Sequence, residues 1–157
     1  MPWTVKRPAL AIQDWWSERR PDALLVAARG VWRGPAASKR DVLSQYDFSL
    51  CFENCVLRGW ITEKIFDCFF AGVVPVYWGA PEIADVVPAA CYIDARNFGG
   101  YEELHDFLRS RTTQDKTNDR EAAREFLRSP AYRAFTREAF THHFLDCAAE
   151  DAGVGHR

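Results

Sequence analysis

Residues Glu53 to Lys64 read Glu-Asn-Cys-Val-Leu-Arg-Gly-Trp-Ile-Thr-Glu-Lys, a short stretch rich in side chains that bind oxygens or stack on rings. Thr62 can cap a helix beginning at Glu63, which gathers free backbone N–H groups and the positive end of the helix dipole beside the Lys64 ammonium. That combination favours an anion. A phosphate would also explain a lysine in a first turn, where the dipole alone disfavours a cation. Glu63 suits the dipole and can accept hydrogen bonds from ribose hydroxyls, while Asn54 and Arg58 add a neutral and a cationic donor. Gly59 and Gly79 leave room for close backbone approach, and Trp60, Tyr77 and Trp78 offer flat faces to a base or sugar. The plain alternative is that Glu63 and Lys64 are solvated first-turn charges, and that Tyr77 and Trp78 are core aromatics at a strand end.

These residues need a frame. Phe48–Phe52 is an aromatic and apolar run of strand length, preceded by a short helical pattern over Lys39–Gln45. From Thr62 to Phe70 the period changes: Ile65, Phe66, Phe69 and Phe70 form a helical stripe that Gly72 stops. Val73–Trp78 then predicts a second strand, Cys91–Ile93 a third, and Tyr101–Ser110 a helix carrying Leu104, Phe107 and Leu108 on one side. Strands alternating with helices of this length predict an α/β fold, a parallel sheet with flanking helices. In such sheets ligands bind at the carboxyl ends of strands, which is where Glu53–Lys64 falls. Upstream, Leu10–Arg20 suggests a short helix, Leu24–Ala28 a strand or helical turn, and Arg29–Ser38 a loop. Downstream, Ala122–Leu127 is helical, broken near Pro130, with helix resuming through Tyr132–Ala149.

Bulk properties narrow the classes. The chain has 157 residues, 48% hydrophobic, with a net charge of −2, which suits one domain with a real core and excludes a nucleic-acid binder working by bulk charge. The first 46 residues are basic, residues 47–110 acidic and the remainder balanced. Apolar runs fall short of the roughly 20 residues of a membrane helix, and the first residues do not form a signal peptide. Cys51, Cys55, Cys68, Cys91 and Cys147 are odd in number and lack zinc-site spacing; Cys51 and Cys68 lie in apolar runs, where buried, inert thiols are expected. His142 and His143 point about 100° apart on a helix and cannot chelate together. No G-x-G-x-x-G follows the first strand, which disfavours a dinucleotide oxidoreductase.

The blocks Phe-Ser-Leu-Cys-Phe-Glu-Asn (48–54), Gly-Trp-Ile-Thr-Glu-Lys (59–64) and Pro-Val-Tyr-Trp-Gly-Ala-Pro (75–81) together resemble the donor-binding half of the α1,3/α1,4-fucosyltransferases, glycosyltransferase family 10. The resemblance covers residues 46–108 well. It implies a Rossmann-like sheet forming the C-terminal half of a GT-B glycosyltransferase, with residues 1–37 an extension or interdomain remnant, 38–128 the GDP-sugar-binding domain and 129–157 a helical tail. It further implies GDP-fucose as donor, no required metal or other cofactor, and inverting transfer of L-fucose to a GlcNAc-type hydroxyl of a glycoprotein or glycolipid glycan. By the family's motif Lys64 would meet the pyrophosphate, Glu63 the ribose, Asn54 the nucleotide-sugar region, and Trp60 would line the pocket, with Glu53, Arg58 and Tyr77 as further donor-site candidates.

The departures matter as much. Inversion needs a general base at the acceptor hydroxyl, which the family draws from an N-terminal domain; no catalytic residue is therefore assigned in this chain. The family's upstream pyrophosphate-binding arginine has only Arg29 and Arg33 as candidate matches. Glu82, Asp85 and Asp94 show no spacing that marks an acid–base pair. The chain is thus expected to supply the donor half of a fucosyltransferase, Golgi-lumenal and membrane-anchored if it belongs to a longer eukaryotic chain, or to act as a non-catalytic GDP-sugar-binding fragment.

Overall fold

The computed structural model describes residues 35–151 and Gly153; the readings of Leu10–Arg20, Leu24–Ala28, Arg29 and Arg33 lie outside the described residues. The elements run α1 (Lys39–Leu43), β1 (Phe48–Phe52), α2 (Glu63–Ala71), β2 (Val74–Trp78), α3 (Ile83–Val86), β3 (Ile93–Asp94), α4 (Tyr101–Ser110), α5 (Thr113–Arg128) and α6 (Arg137–Asp151). The three strands are parallel in the order β1-β2-β3. Phe48 pairs with Val74 and Phe52 with Trp78, so β1 and β2 end level and their following loops emerge side by side.

Strand β2 is buried along its length except at Trp78, as a central strand covered on both faces must be. Its side chains alternate between two cores. Tyr77 packs with Cys51, Ile65, Cys68 and Phe69, joined by Ala123 and Phe126 of α5. Val74 and Val76 pack instead with Ile93 and Leu104. Helices α2 and α5 therefore cover one face and α4 the other. A ring cluster locks the carboxyl-terminal part onto α2: Phe66 lies 5.7 Å from Tyr132 and 4.8 Å from Phe135.

Helix α2 ends as its sequence requires. Gly72 takes φ +71°, the left-handed conformation that closes a helix, and donates its N–H to the last carbonyls. Three sequence expectations are corrected. Only Ile93 and Asp94 pair with β2, because Ala89–Cys91 coils into a 3₁₀ turn after Pro88. Helix α5 begins at Thr113, well before Ala122, nucleated by a capping box in which Thr112 and Asp115 exchange hydrogen bonds; its first half is polar all round and so lacks an apolar period. Beyond it, the helix expected from Tyr132 starts only at Arg137, because Pro130–Phe135 coils into a 3₁₀ segment that Pro130 opens.

Candidate functional site

The loop from β1 to α2 is organised from inside by a buried carboxylate. Glu53 is 4% exposed, and a charge so placed must be paired and hydrogen-bonded. Its Oε1 accepts the Thr62 backbone N–H at 2.8 Å, its Oε2 accepts the Thr62 hydroxyl at 2.8 Å, and the Lys64 ammonium stands 3.4 Å away. Thr62 occupies the N-cap of α2, yet its side chain makes no cap hydrogen bond, because the hydroxyl donates to Glu53 instead. The carboxylate serves the helix start from outside, where its charge also suits the dipole.

Lys64 donates to the Phe52 carbonyl at 2.9 Å and to Asn54 Oδ1 at 3.0 Å, with its side chain 29% exposed. The first-turn lysine is thus balanced within the chain by Glu53, and a bound phosphate is not needed to account for it. Its partners fix the ammonium at the carboxyl end of β1, where it keeps some access to solvent. Asn54 and Glu63 are exposed beside it.

The outer part of the loop is pinned by a second carboxylate. Glu82, just before α3, accepts the backbone N–H of Gly59, which holds φ +76° with open space around its α-carbon. That hydrogen bond, with the charges of Arg58 and Arg96 nearby, holds the Glu82 carboxyl below its ordinary pKa. Trp60 follows, 44% exposed, and Arg58 is exposed next to it. The loop after β2 is tied in turn by Arg96, which chelates Asp94 and donates to the Ala80 and Pro81 carbonyls at 3.4 and 3.1 Å.

Asn54, Trp60, Glu63 and Lys64 thus lie on one loop and helix start at the carboxyl end of the sheet, with Arg58 at the exposed tip of that loop. Glu53, expected among the donor-site candidates, is instead buried and spent on Thr62, and two other sequence readings change. Tyr77 is fully buried, its ring against Tyr92 and its hydroxyl accepting the Ala80 N–H, so it presents no face to a ligand; burial pushes the phenol up to about 12, which keeps it protonated. The space beside Gly79 is filled by the protein itself: a Cβ there would lie 2.5 Å from Glu53 Cγ and 2.5 Å from the Tyr77 hydroxyl. The pinning by Glu82 escaped the sequence reading, since nothing in the spacing of Gly59 and Glu82 marks it. Among the described residues no cluster of His, Cys, Asp and Glu could hold a metal ion.

Comparison with known proteins agrees with this frame. The family model described as glycosyltransferase family 10 (fucosyltransferase) C-term matches residues 26–125. Alpha-(1,3)-fucosyltransferase FucT of Helicobacter pylori is 38% identical over 72 residues, which cover 46% of this chain and 15% of that protein. GDP-fucose protein O-fucosyltransferase 3 of Homo sapiens is 36% identical over 89 residues, covering 54% and 19%. A crystal structure of alpha1,3-fucosyltransferase with GDP-fucose superposes with a TM-score of 0.53 at 29% identity, over 57% of this chain and 27% of that one. The chain therefore spans less than a fifth of the length of these two relatives. The parallel sheet, its flanking helices and the likeness to solved α1,3-fucosyltransferases bear out the expected Rossmann-like half of a GT-B fold. With its family model matched across both strand-end loops, this chain belongs to glycosyltransferase family 10, the fucosyltransferase family.

Proposed function

We propose that this chain is the donor-binding part of a fucosyltransferase, holding GDP-fucose where β1 and β2 end and presenting the fucosyl group for inverting transfer to a GlcNAc-type hydroxyl of a glycoprotein or glycolipid glycan. The observation that carries this reading is the convergence of Lys64 and Asn54 at the carboxyl end of β1, 3.0 Å apart, beside the N-terminus of α2. In it, Lys64 and the helix N–H groups take the pyrophosphate, Glu63 the ribose, Asn54 the nucleotide-sugar region, and Trp60 lines the pocket with Arg58 at its rim. Glu53 and Tyr77 serve from beneath, as supports. Charge developing on the departing diphosphate is met by Lys64 and the helix dipole, which stabilises the transition state and gives a metal no required role.

The donor assignment is supported by the GDP-fucose bound in the solved α1,3-fucosyltransferase. Residues 38–128 form the binding unit in this reading, 1–37 an N-terminal extension or interdomain remnant, and 129–157 a helical tail. The general base is assigned to the opposite domain of the GT-B pair, because Glu53 and Glu82 are committed to the backbone of Thr62 and Gly59. That commitment also favours a second reading, a GDP-sugar-binding module that transfers nothing alone. A Golgi-lumenal address follows for a longer eukaryotic form; no helix among the described residues is long and apolar enough to cross a membrane.

Calorimetric titration of the chain with GDP, GDP-fucose and UDP, beside Lys64→Ala, tests the proposal. Guanine-selective binding that weakens at least tenfold in the variant supports it. A folded chain that binds none of the three, or a variant with unchanged affinity, overturns it. Fucosyl transfer by the chain alone would exclude the second reading.

A further inference from the structure

Cys51 and Cys68 face each other in the core between β1 and α2. Cys51 stands at the one fully buried position of β1 and is 2% exposed; Cys68 is 1% exposed on the face of α2 turned to the sheet. Their sulfurs are 3.0 Å apart, inside the roughly 3.5–4.0 Å at which non-bonded heavy atoms ordinarily rest, and Cys51 Sγ also lies 3.4 Å from the Lys64 carbonyl. Closing to a covalent S–S distance asks the sulfurs to move by only about 1 Å. The remaining cysteines are differently situated: Cys55 is half-buried on the loop, Cys91 is buried by the 3₁₀ turn, and Cys147 is exposed on α6.

We propose that Cys51 and Cys68 are a disulfide-forming pair, cross-linked by exchange with a disulfide donor such as oxidised glutathione or a dithiol–disulfide oxidoreductase. The exchange proceeds in two steps. The Cys68 thiolate attacks the donor disulfide, forming a mixed disulfide and expelling one donor thiol; Cys51 then attacks Cys68 Sγ, the Cys51–Cys68 bond forms, and the second donor thiol leaves. Two electrons pass to the donor, and the two cysteine protons end on its two released thiols. Because both sulfurs are buried, the donor reaches them before β1 and α2 close on each other in folding, or when α2 opens.

The cross-link has a local consequence. The loop it closes, from residue 51 to residue 68, contains Glu53, Asn54, Trp60, Thr62, Glu63 and Lys64. Oxidation would tether strand to helix directly beneath the candidate site, whatever ligand that site takes.

The test is refolding of the full chain in a glutathione redox buffer, followed by thiol counting under denaturant and by mass spectrometry of a non-reduced digest. The expected result is a fall from five titratable thiols to three, a peptide pair joined through Cys51 and Cys68, and the same pair in the Cys55→Ser variant. The oxidised chain should also melt at a higher temperature than the reduced one, a difference that Cys68→Ala abolishes. Five remaining thiols in the folded chain, or a disulfide that joins either residue to Cys55, would overturn the proposal. None of these readouts depends on nucleotide binding, so the outcome is independent of the function assigned to the site.

Discussion

Both carboxylate oxygens of Glu53 are taken by Thr62, one by its backbone N–H and the other by its hydroxyl, each at 2.8 Å. The pair stitches the exit of β1 to the N-cap of α2 and brings a negative charge to within 3.4 Å of Lys64. Truncation would leave the Thr62 donors without their acceptor and Lys64 without its counter-charge. Glu53→Ala is expected to destabilise the fold by about 2–4 kcal/mol in urea unfolding, and Glu53→Gln by less, since an amide keeps one acceptor. A change below about 0.5 kcal/mol for the alanine variant would show that the carboxylate does not organise the loop.

Gly79 owes its identity to the same carboxylate. A methyl group at this position would press on Glu53 and on the Tyr77 hydroxyl at 2.5 Å each, and neither side chain has free volume to retreat into. Gly79→Ala is expected to cost about 1–3 kcal/mol by overpacking and to weaken GDP binding along with stability. Urea unfolding and calorimetry on the same sample read both.

Trp60 separates binding from folding. With 44% of its surface exposed, its replacement by alanine should shift stability by no more than about 0.5 kcal/mol. If the ring lines the donor pocket, GDP-fucose affinity should fall by about 5- to 100-fold, the range of an aromatic stacking contact. Equal donor affinity in Trp60→Ala and the parent chain would remove Trp60 from the pocket.

Asp47 gives the fold a pH dependence that can be worked out in sign. Its carboxylate accepts from Lys116 and from Arg120, each at 2.7 Å, and these hydrogen bonds hold its pKa below the ordinary value. A depressed carboxyl contributes stability above its unfolded pKa of about 3.9 and loses it as pH falls through the folded value. Asp47 is half exposed, so Asp47→Asn should cost only about 0.5–1 kcal/mol near neutral pH. That difference should shrink below about pH 4, as urea midpoints at about pH 7 and about pH 3 will show.

Much of this protein can be read along the chain. Strand β1, helix α2, strand β2 and helix α4 follow from apolar period, and the stop at Gly72 from its freedom to take φ +71°. The motif blocks around Asn54, Trp60, Glu63 and Lys64 carry the family's mark in the sequence itself. Each of those signals is local, because helix period and capping depend on residues three or four positions apart. The first half of α5 was hidden for the complementary reason: a helix polar all round carries no apolar stripe to detect.

Tertiary structure alone decided how the site is held. Glu53 reaches Thr62 across 9 residues, Glu82 reaches Gly59 across 23, and Cys51 meets Cys68 across 17. It was packing, too, that buried Tyr77, filled the space beside Gly79 and gave Lys64 an internal counter-charge in place of a required phosphate. A side chain's type says what it can bind, but burial and the groups that reach it through the fold decide whether it faces a ligand or its own backbone.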